Sequence, residues 1–170
     1  DIAPSALLVQ DRSGKTPMHH ACEDCLVDGV MPLLINAWPL GANIQDNKGR
    51  TLLHSAVGFC PSKRATSVVP LLLSKIPAAT RSQDWNGQTP LHYACMKGMT
   101  LTVRYLLEAD PRAVLDKDKD GNSPLSFCWT DTEEEMVIRN IHFLLTEKSS
   151  DSLLRCIMNE FSKIQWWFGV

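Results

Sequence analysis

The residues best suited to chemistry lie near the start of the chain, where His19, Cys22 and Cys25 spell H-x-x-C-x-x-C, a set of nitrogen and sulfur ligands that suits zinc. A closed zinc site needs four ligands, and no second pair stands at matching spacing. The remaining histidines, His20, His54, His92 and His142, form no H-E-x-x-H pair. The phosphate-cradling G-x-x-x-x-G-K-[ST] loop and the G-x-S-x-G nucleophile turn are absent as well. His19 and Cys22 also stand in a string that returns, as TPMHHAC at Thr16, TLLHSAV at Thr51 and TPLHYAC at Thr89. Residues that recur with a repeat have packing reasons to be there. No catalytic residue, cofactor or metal is therefore assigned, and the chain is read as non-enzymatic.

The string belongs to a longer unit: DRSGKTPMH from Asp11, DNKGRTLLH from Asp46, DWNGQTPLH from Asp84 and DKDGNSPLS from Asp118. The steps are 35, 38 and 34 residues, the period of a helical repeat array. Asp and Gly bracket a tight turn, because Asp hydrogen-bonds the backbone ahead of it and Gly tolerates positive φ. Thr16, Thr51, Thr89 and Ser123 are predicted helix N-caps, with Pro17, Pro90 and Pro124 at the first helical position. Small residues follow at Ala21-Cys22, Ala56-Val57 and Ala94-Cys95, allowing close helix stacking. A second apolar stretch then carries a leucine pair, at Leu33-Leu34, Leu71-Leu72, Leu106-Leu107 and Leu144-Leu145. Pro39, Pro77 and Pro111 each stand seven residues ahead of the next Asp, and Pro4 keeps the same spacing. That spacing predicts a chain that opens inside a repeat, as a fragment or processed product.

Turn, short helix, second helix and proline-marked loop make a unit that resembles the ankyrin repeat. The T-P-L-H-x-A motif of that family stands here as TPLHYA at Thr89, TPMHHA at Thr16 and TLLHSA at Thr51. The fourth copy, SPLSFC, has Ser126 at the His position and reads as a degenerate terminal repeat. The resemblance implies an all-α helical solenoid of paired antiparallel helices, with His19, His54 and His92 bonding backbone between neighbouring units. It also implies a protein–protein interaction module whose partners meet the turn tips and the concave side of the short helices.

The predicted organisation is an array over residues 1–148, with a partial unit at 1–10 and repeats at 11–45, 46–83, 84–117 and 118–148. Residues 149–170 follow as a C-terminal capping helix with an aromatic tail, Leu153, Leu154, Ile157, Met158, Phe161 and Ile164 sharing one face. Two insertions interrupt the period. GFCPSKRATS, residues 58–67, reads as a basic loop, and WTDTEEE from Trp129 carries a Thr132–Glu135 capping box. The six cysteines are not read as a disulfide framework: Cys22 and Cys95 occupy the small-residue slot, Cys128 stands at the position of Ala94 and Cys156 on a later apolar helix face. Buried free thiols suit a reducing intracellular compartment: cytosol, nucleus or an organelle interior. Net charge is −2, so four basic tips fall short of a nucleic-acid footprint. No apolar run reaches the roughly 20 residues of a membrane span.

The register then names the partner-facing residues. Arg12, Lys15 and His20 come from the first unit, Lys48 and Arg50 from the second. Trp85, Asn86, Tyr93, Met96 and Lys97 come from the third, and Phe127 and Trp129 from the fourth. Ser55 and Phe59 fall on the same face. Basic residues gather on the first two tips and large apolar ones on the last two, which suits a partner protein that is part acidic and part apolar. Trp85 either packs flat on the neighbouring turn or serves as a hot spot, and Phe127 also fits a core role. Trp166 and Trp167 fold back or meet a partner. Two other readings stay open: a permanent subunit docked by the WWFGV tail, and the targeting arm of an enzyme whose catalytic domain lies elsewhere.

Overall fold

The computed structural model describes residues 8–24 and 29–127. Six α-helices follow one another in pairs: α1 (Pro17–Glu23) and α2 (Val30–Ala37), α3 (Leu52–Phe59) and α4 (Ser62–Lys75), α5 (Pro90–Met96) and α6 (Thr100–Ala109). The short helices α1, α3 and α5 stack on one another in one layer, and α5 meets a final turn of 3-10 helix, Pro124–Phe127. The longer helices α4 and α6 stack in a second layer, with α2 against α4. This is an all-α solenoid with one continuous core. Met18, Leu52, Leu53, Leu91, Leu106 and Leu107 are all but fully buried in it.

Local chemistry explains each boundary. The Asp-x-x-Gly turns close as expected: one carboxylate oxygen of Asp46 accepts from the N–H groups of Lys48 and Arg50, and Asp84 does the same for Asn86 and Gln88. Gly14, Gly49, Gly87 and Gly121 all take φ between 74° and 83°, where a side chain is disfavoured. The proline-marked segments are more regular than a loop. Pro39, Pro77 and Pro111 each start a five-residue 3-10 helix, since a fixed φ and a missing N–H suit a first helical position.

Two expectations change. The 58–67 insertion is not a basic loop. Gly58 and Phe59 end α3, only Cys60 and Pro61 separate it from α4, and residues 62–67 extend α4 to 14 residues against 8 in α2 and 10 in α6. Lys63, Arg64 and Ala65 are good helix formers, which outweighs the interruption of the period. The leucine pairs also differ in burial. Leu106 and Leu107 are both buried, whereas Leu33 is 71% exposed beside buried Leu34. Among the described residues no helix is long and apolar enough to cross a membrane. The remainder of the fourth unit and the C-terminal helix, with Cys128, Trp129, Thr132, Glu135, His142, Leu144-Leu145, Cys156, Trp166 and Trp167, lie outside the described residues, as do Pro4 and Cys25.

Candidate functional site

Three identical constellations run along the short-helix layer. In each, the cap threonine hydroxyl faces the backbone N–H of the third helical residue, and that residue is the histidine, which receives the threonine N–H in return. Nδ1 of His19 lies 3.2 Å from the Thr16 nitrogen and 2.8 Å from its hydroxyl, so Nδ1 accepts and Nε2 carries the proton. Nε2–H then donates across the repeat boundary to the Arg50 carbonyl at 3.3 Å. His54 repeats this between Thr51 and the Gln88 carbonyl (3.0 Å), and His92 between Thr89 and the Asn122 carbonyl (3.2 Å). All three rings have no exposed surface, and burial, opposed by the backbone hydrogen bonds and nearby carboxylates, holds their pKa values below the ordinary one. Neutral rings with both nitrogens engaged are structural pins. His19 is therefore occupied without a metal.

The turn tips are joined by a second ladder. The N–H of Asn47 donates to Ser13, that of Trp85 to Lys48 and that of Lys119 to Asn86, at 2.9–3.0 Å. Glutamines add a third: Gln10, Gln45 and Gln83 each reach a carbonyl one repeat on, at Gln45, Gln83 and Lys117. These glutamines stand immediately before Asp11, Asp46 and Asp84, a recurrence that is itself a signal in the sequence. The tips are held from both sides.

Which side chains this scaffold leaves open differs from expectation. Arg50 is not an open basic tip: it is 8% exposed, with Nε and Nη2 on Asp46 at 2.8 and 2.6 Å. Burial pushes the Asp46 carboxyl up, but the Arg50 guanidinium and two N–H groups outweigh it and hold the group below its ordinary value. Arg50 also lies 4.9 Å from the centre of the Phe59 ring, with the Lys15 ammonium 5.8 Å from the same ring. Lys15 is tied to Glu23 at 2.7 Å, and His20 meets Asp11 at 2.8 Å while staying exposed. Ser55 is fully buried, being too short to reach the surface that His20 reaches one repeat earlier.

In the third unit Tyr93 is half-buried rather than projecting. Its hydroxyl donates to Asp84 at 2.9 Å and its ring meets His54 edge-on at 5.6 Å, and burial pushes the phenol up to about 12. Lys97 bonds the Gly58 carbonyl, Met96 is half-buried, and Phe127 packs edge-on against His92 at 5.9 Å. Among the described residues Trp85 is the one large apolar residue of the tips that stands out, 63% exposed. Its indole also lies against the preceding turn: a methyl group placed on Gly49 would come within 2.2 Å of Trp85 Cδ1. Trp85 thus lays one face on Gly49 and leaves the rest open. Arg12, Lys48 and Lys119 are exposed on the neighbouring tips and make no ion pair among the described residues, and Asn86 is exposed beside Trp85.

Stacked helix pairs, imidazole-closed caps and laddered turns at this period decide the family, and residues 59–145, just over half of the chain, match the model for ankyrin repeats in three copies. The chain belongs to the ankyrin-repeat family. Comparison with curated proteins gives no match. Ankyrin repeats are generally protein–protein interaction modules and typically non-catalytic. An ankyrin array separates two surfaces here: a pinned spine of histidines, and a rim of tip side chains.

Proposed function

We propose that this chain binds a partner protein along the turn-tip row, centred on Trp85, and that the partner presents an extended acidic segment carrying an apolar side chain. The single observation behind this reading is the indole of Trp85, open to solvent on a turn whose backbone is bonded to the turn before it. Trp is the commonest kind of interface hot spot, and a rigid platform loses little entropy on binding. Arg12, Lys48 and Lys119 supply unpaired positive charge on the flanking tips, with Asp120 as an acidic neighbour at one end. His20 and Asn86 border the row. Charge of this kind steers an acidic segment and fixes its register more than it adds affinity. Arg50, Lys15, Tyr93 and Lys97 act one step back, as supports of the tips and helices.

The test is capture with the intact chain as bait, compared with Trp85→Ala and Lys48→Glu, followed by affinity measurement on the captured protein. A partner held by the wild type should bind at least about tenfold more weakly to Trp85→Ala, since a hot-spot truncation exceeds about 1.4 kcal/mol. Lys48→Glu should act mainly by slowing association at low salt. A partner held equally by all three chains would place the interface elsewhere.

A further inference from the structure

Two sulfurs meet across the boundary between the first and second units, at the ends of the short helices farthest from the turn tips. Cys22 stands in the last turn of α1, and Cys60 caps the end of α3. Their Sγ atoms lie 3.7 Å apart, and the Cys60 thiol donates to the Cys22 carbonyl at 3.0 Å. Both are thiols in this structure, Cys22 without exposed surface and Cys60 with 3%. The repeat does not itself require this pair. The slot of Cys22 holds Val57 in the second unit and Cys95 in the third, and the slot of Cys60 holds Gly98 in the third. At the next boundary the same two slots therefore hold Val57 and Gly98. Packing accounts for a small apolar side chain in each slot, not for two sulfurs in contact.

We propose that Cys22 and Cys60 form a reversible modification site, a dithiol that a small disulfide such as oxidised glutathione converts into a disulfide between the two units. Cys60 reacts first. It holds what exposed surface the pair has, and it ends α3 between exposed Phe59 and exposed Pro61, where a helix terminus opens locally at little cost. Its thiolate attacks one glutathione sulfur, forming a mixed disulfide and releasing one glutathione. The Cys22 thiolate then attacks the Cys60 sulfur and expels the second glutathione. One disulfide is made and one broken, two electrons pass to glutathione, and the protons of the two thiols go to the two glutathione thiolates. The cysteine sulfurs close from 3.7 Å to about 2.0 Å. The Cys22 carbonyl loses the Cys60 S–H but keeps the Asp24 N–H, so no buried acceptor is orphaned. The bond ties α1 to α3 at one end, while the Asn47–Ser13 backbone bond already ties the two tips at the other. It also fixes the chain beside Glu23 and Phe59, the two residues that Lys15 touches. The site lies at the far end of the short helices from Trp85, so it and the tip interface can fail separately.

The experiment equilibrates the whole 170-residue chain in buffers of rising oxidised-to-reduced glutathione ratio, alkylates the remaining thiols, and maps disulfides by mass spectrometry of its peptides. Urea unfolding follows on the same samples. A Cys22–Cys60 linked peptide is expected from the folded chain, and reduced glutathione should remove it again. Linking residues 38 apart should lower the unfolding equilibrium constant about a hundredfold, read as a higher urea midpoint. Cys22→Val places in this slot the residue type that the second unit already carries. It should lose the rise in midpoint and accumulate one glutathione on Cys60. Cys60→Ser keeps a donor for the Cys22 carbonyl, and it should lose the rise and carry no glutathione on Cys22. No link at any ratio, a link from Cys22 or Cys60 to another cysteine, or a link formed only in urea overturns the site. A link that leaves the midpoint unmoved or lowers it overturns the tie between the units. Glutathione on Cys22 in Cys60→Ser overturns the order of attack.

Discussion

The histidine spine and the tip rim are built on the same turns yet follow opposite rules. Along the spine the same three atoms meet in the same way at His19, His54 and His92, with Nδ1 to the cap threonine and Nε2 to a carbonyl one repeat on. Along the rim the residue after each turn Asp changes every time, from Arg12 to Asn47 to Trp85 to Lys119. The backbone of that residue is nonetheless constant, its N–H donating to the preceding turn in the last three. Sameness marks what holds the array together, and variation on a constant backbone marks the surface that the proposed interface uses. The fourth unit sharpens the contrast from inside the spine. There Ser126 replaces the histidine, its hydroxyl reaches only Ser123 at 3.3 Å, and the helix shortens to one 3-10 turn within the described residues.

The largest test of the spine is pH. Each ring is held neutral, with a folded pKa below the ordinary 6.5 that it regains on unfolding. The stability this represents is therefore complete above about 6.5 and is lost as the pH falls from there toward the folded values. Each ring contributes at most about 1.4 kcal/mol per pH unit, so going from about pH 7.5 to about 5.5 should remove up to about 4 kcal/mol from the three together. Urea midpoints across that range check it. A flat profile would mean that the rings accept a proton without leaving their places.

Next in size is His54→Ala. It empties a buried site, leaves the Thr51 N–H without its acceptor, takes one of two donors from the Gln88 carbonyl, which keeps the Asp84 N–H, and removes the edge that Tyr93 rests on. A loss of about 3 kcal/mol is expected from the cavity and the unpaired N–H together. Ser126→Ala, at the equivalent place in the fourth unit, should change stability by less than about 0.5 kcal/mol, as an exposed surface position does. Equal effects at the two positions would erase the distinction between pinned and unpinned units.

Much of the spine was legible in the sequence because its residues recur. Turn Asp and Gly, cap threonine, helix-starting proline and motif histidine all appear at a fixed period, and each fell where local chemistry required. The rim was legible only in part, because exposure depends on partners that do not recur. Arg50 shows why: its turn alone places Arg four residues after the Asp, and two guanidinium nitrogens close on Oδ2 of Asp46, whereas Lys15, Gln88 and Asn122 stand there in the other units. Tyr93 was similarly drawn inward by Asp84. The 58–67 insertion breaks the period and so reads as a loop, although its composition favours helix.

Thr89→Ala tests the joint between the two surfaces, because Thr89 ends the tip and begins α5. Its hydroxyl lies 2.8 Å from His92 Nδ1 in a fully buried setting, and removing it should cost about 1 kcal/mol, the usual worth of an N-cap. Equilibrium urea unfolding measures this directly. An unchanged midpoint would show that the Thr89 N–H bond to the ring closes the cap without the hydroxyl.

The smallest expected effect on stability is at the centre of the proposed interface. Trp85→Ala removes a ring that is 63% exposed and touches mainly the Gly49 turn, while the Trp85 N–H bond to Lys48 belongs to the backbone and survives. Its midpoint should move by no more than about 0.5 kcal/mol, the usual range for surface positions. Gly49→Ala should be worse by about 1 kcal/mol or more, because alanine resists the φ of 76° and its methyl group meets both the indole and the Trp85 backbone. Combining the two changes separates these causes. The indole clash is relieved in the double variant but the strain in φ is not, so part of the Gly49→Ala loss should return, with a coupling of about 0.5 kcal/mol or more, as expected for residues in contact. Strict additivity would mean that the indole leaves Gly49 in solution and stands wholly free. If Trp85→Ala alone lowered stability by several times the expected amount and left partner binding intact, the tryptophan would belong to the spine, and the rim would lose its centre.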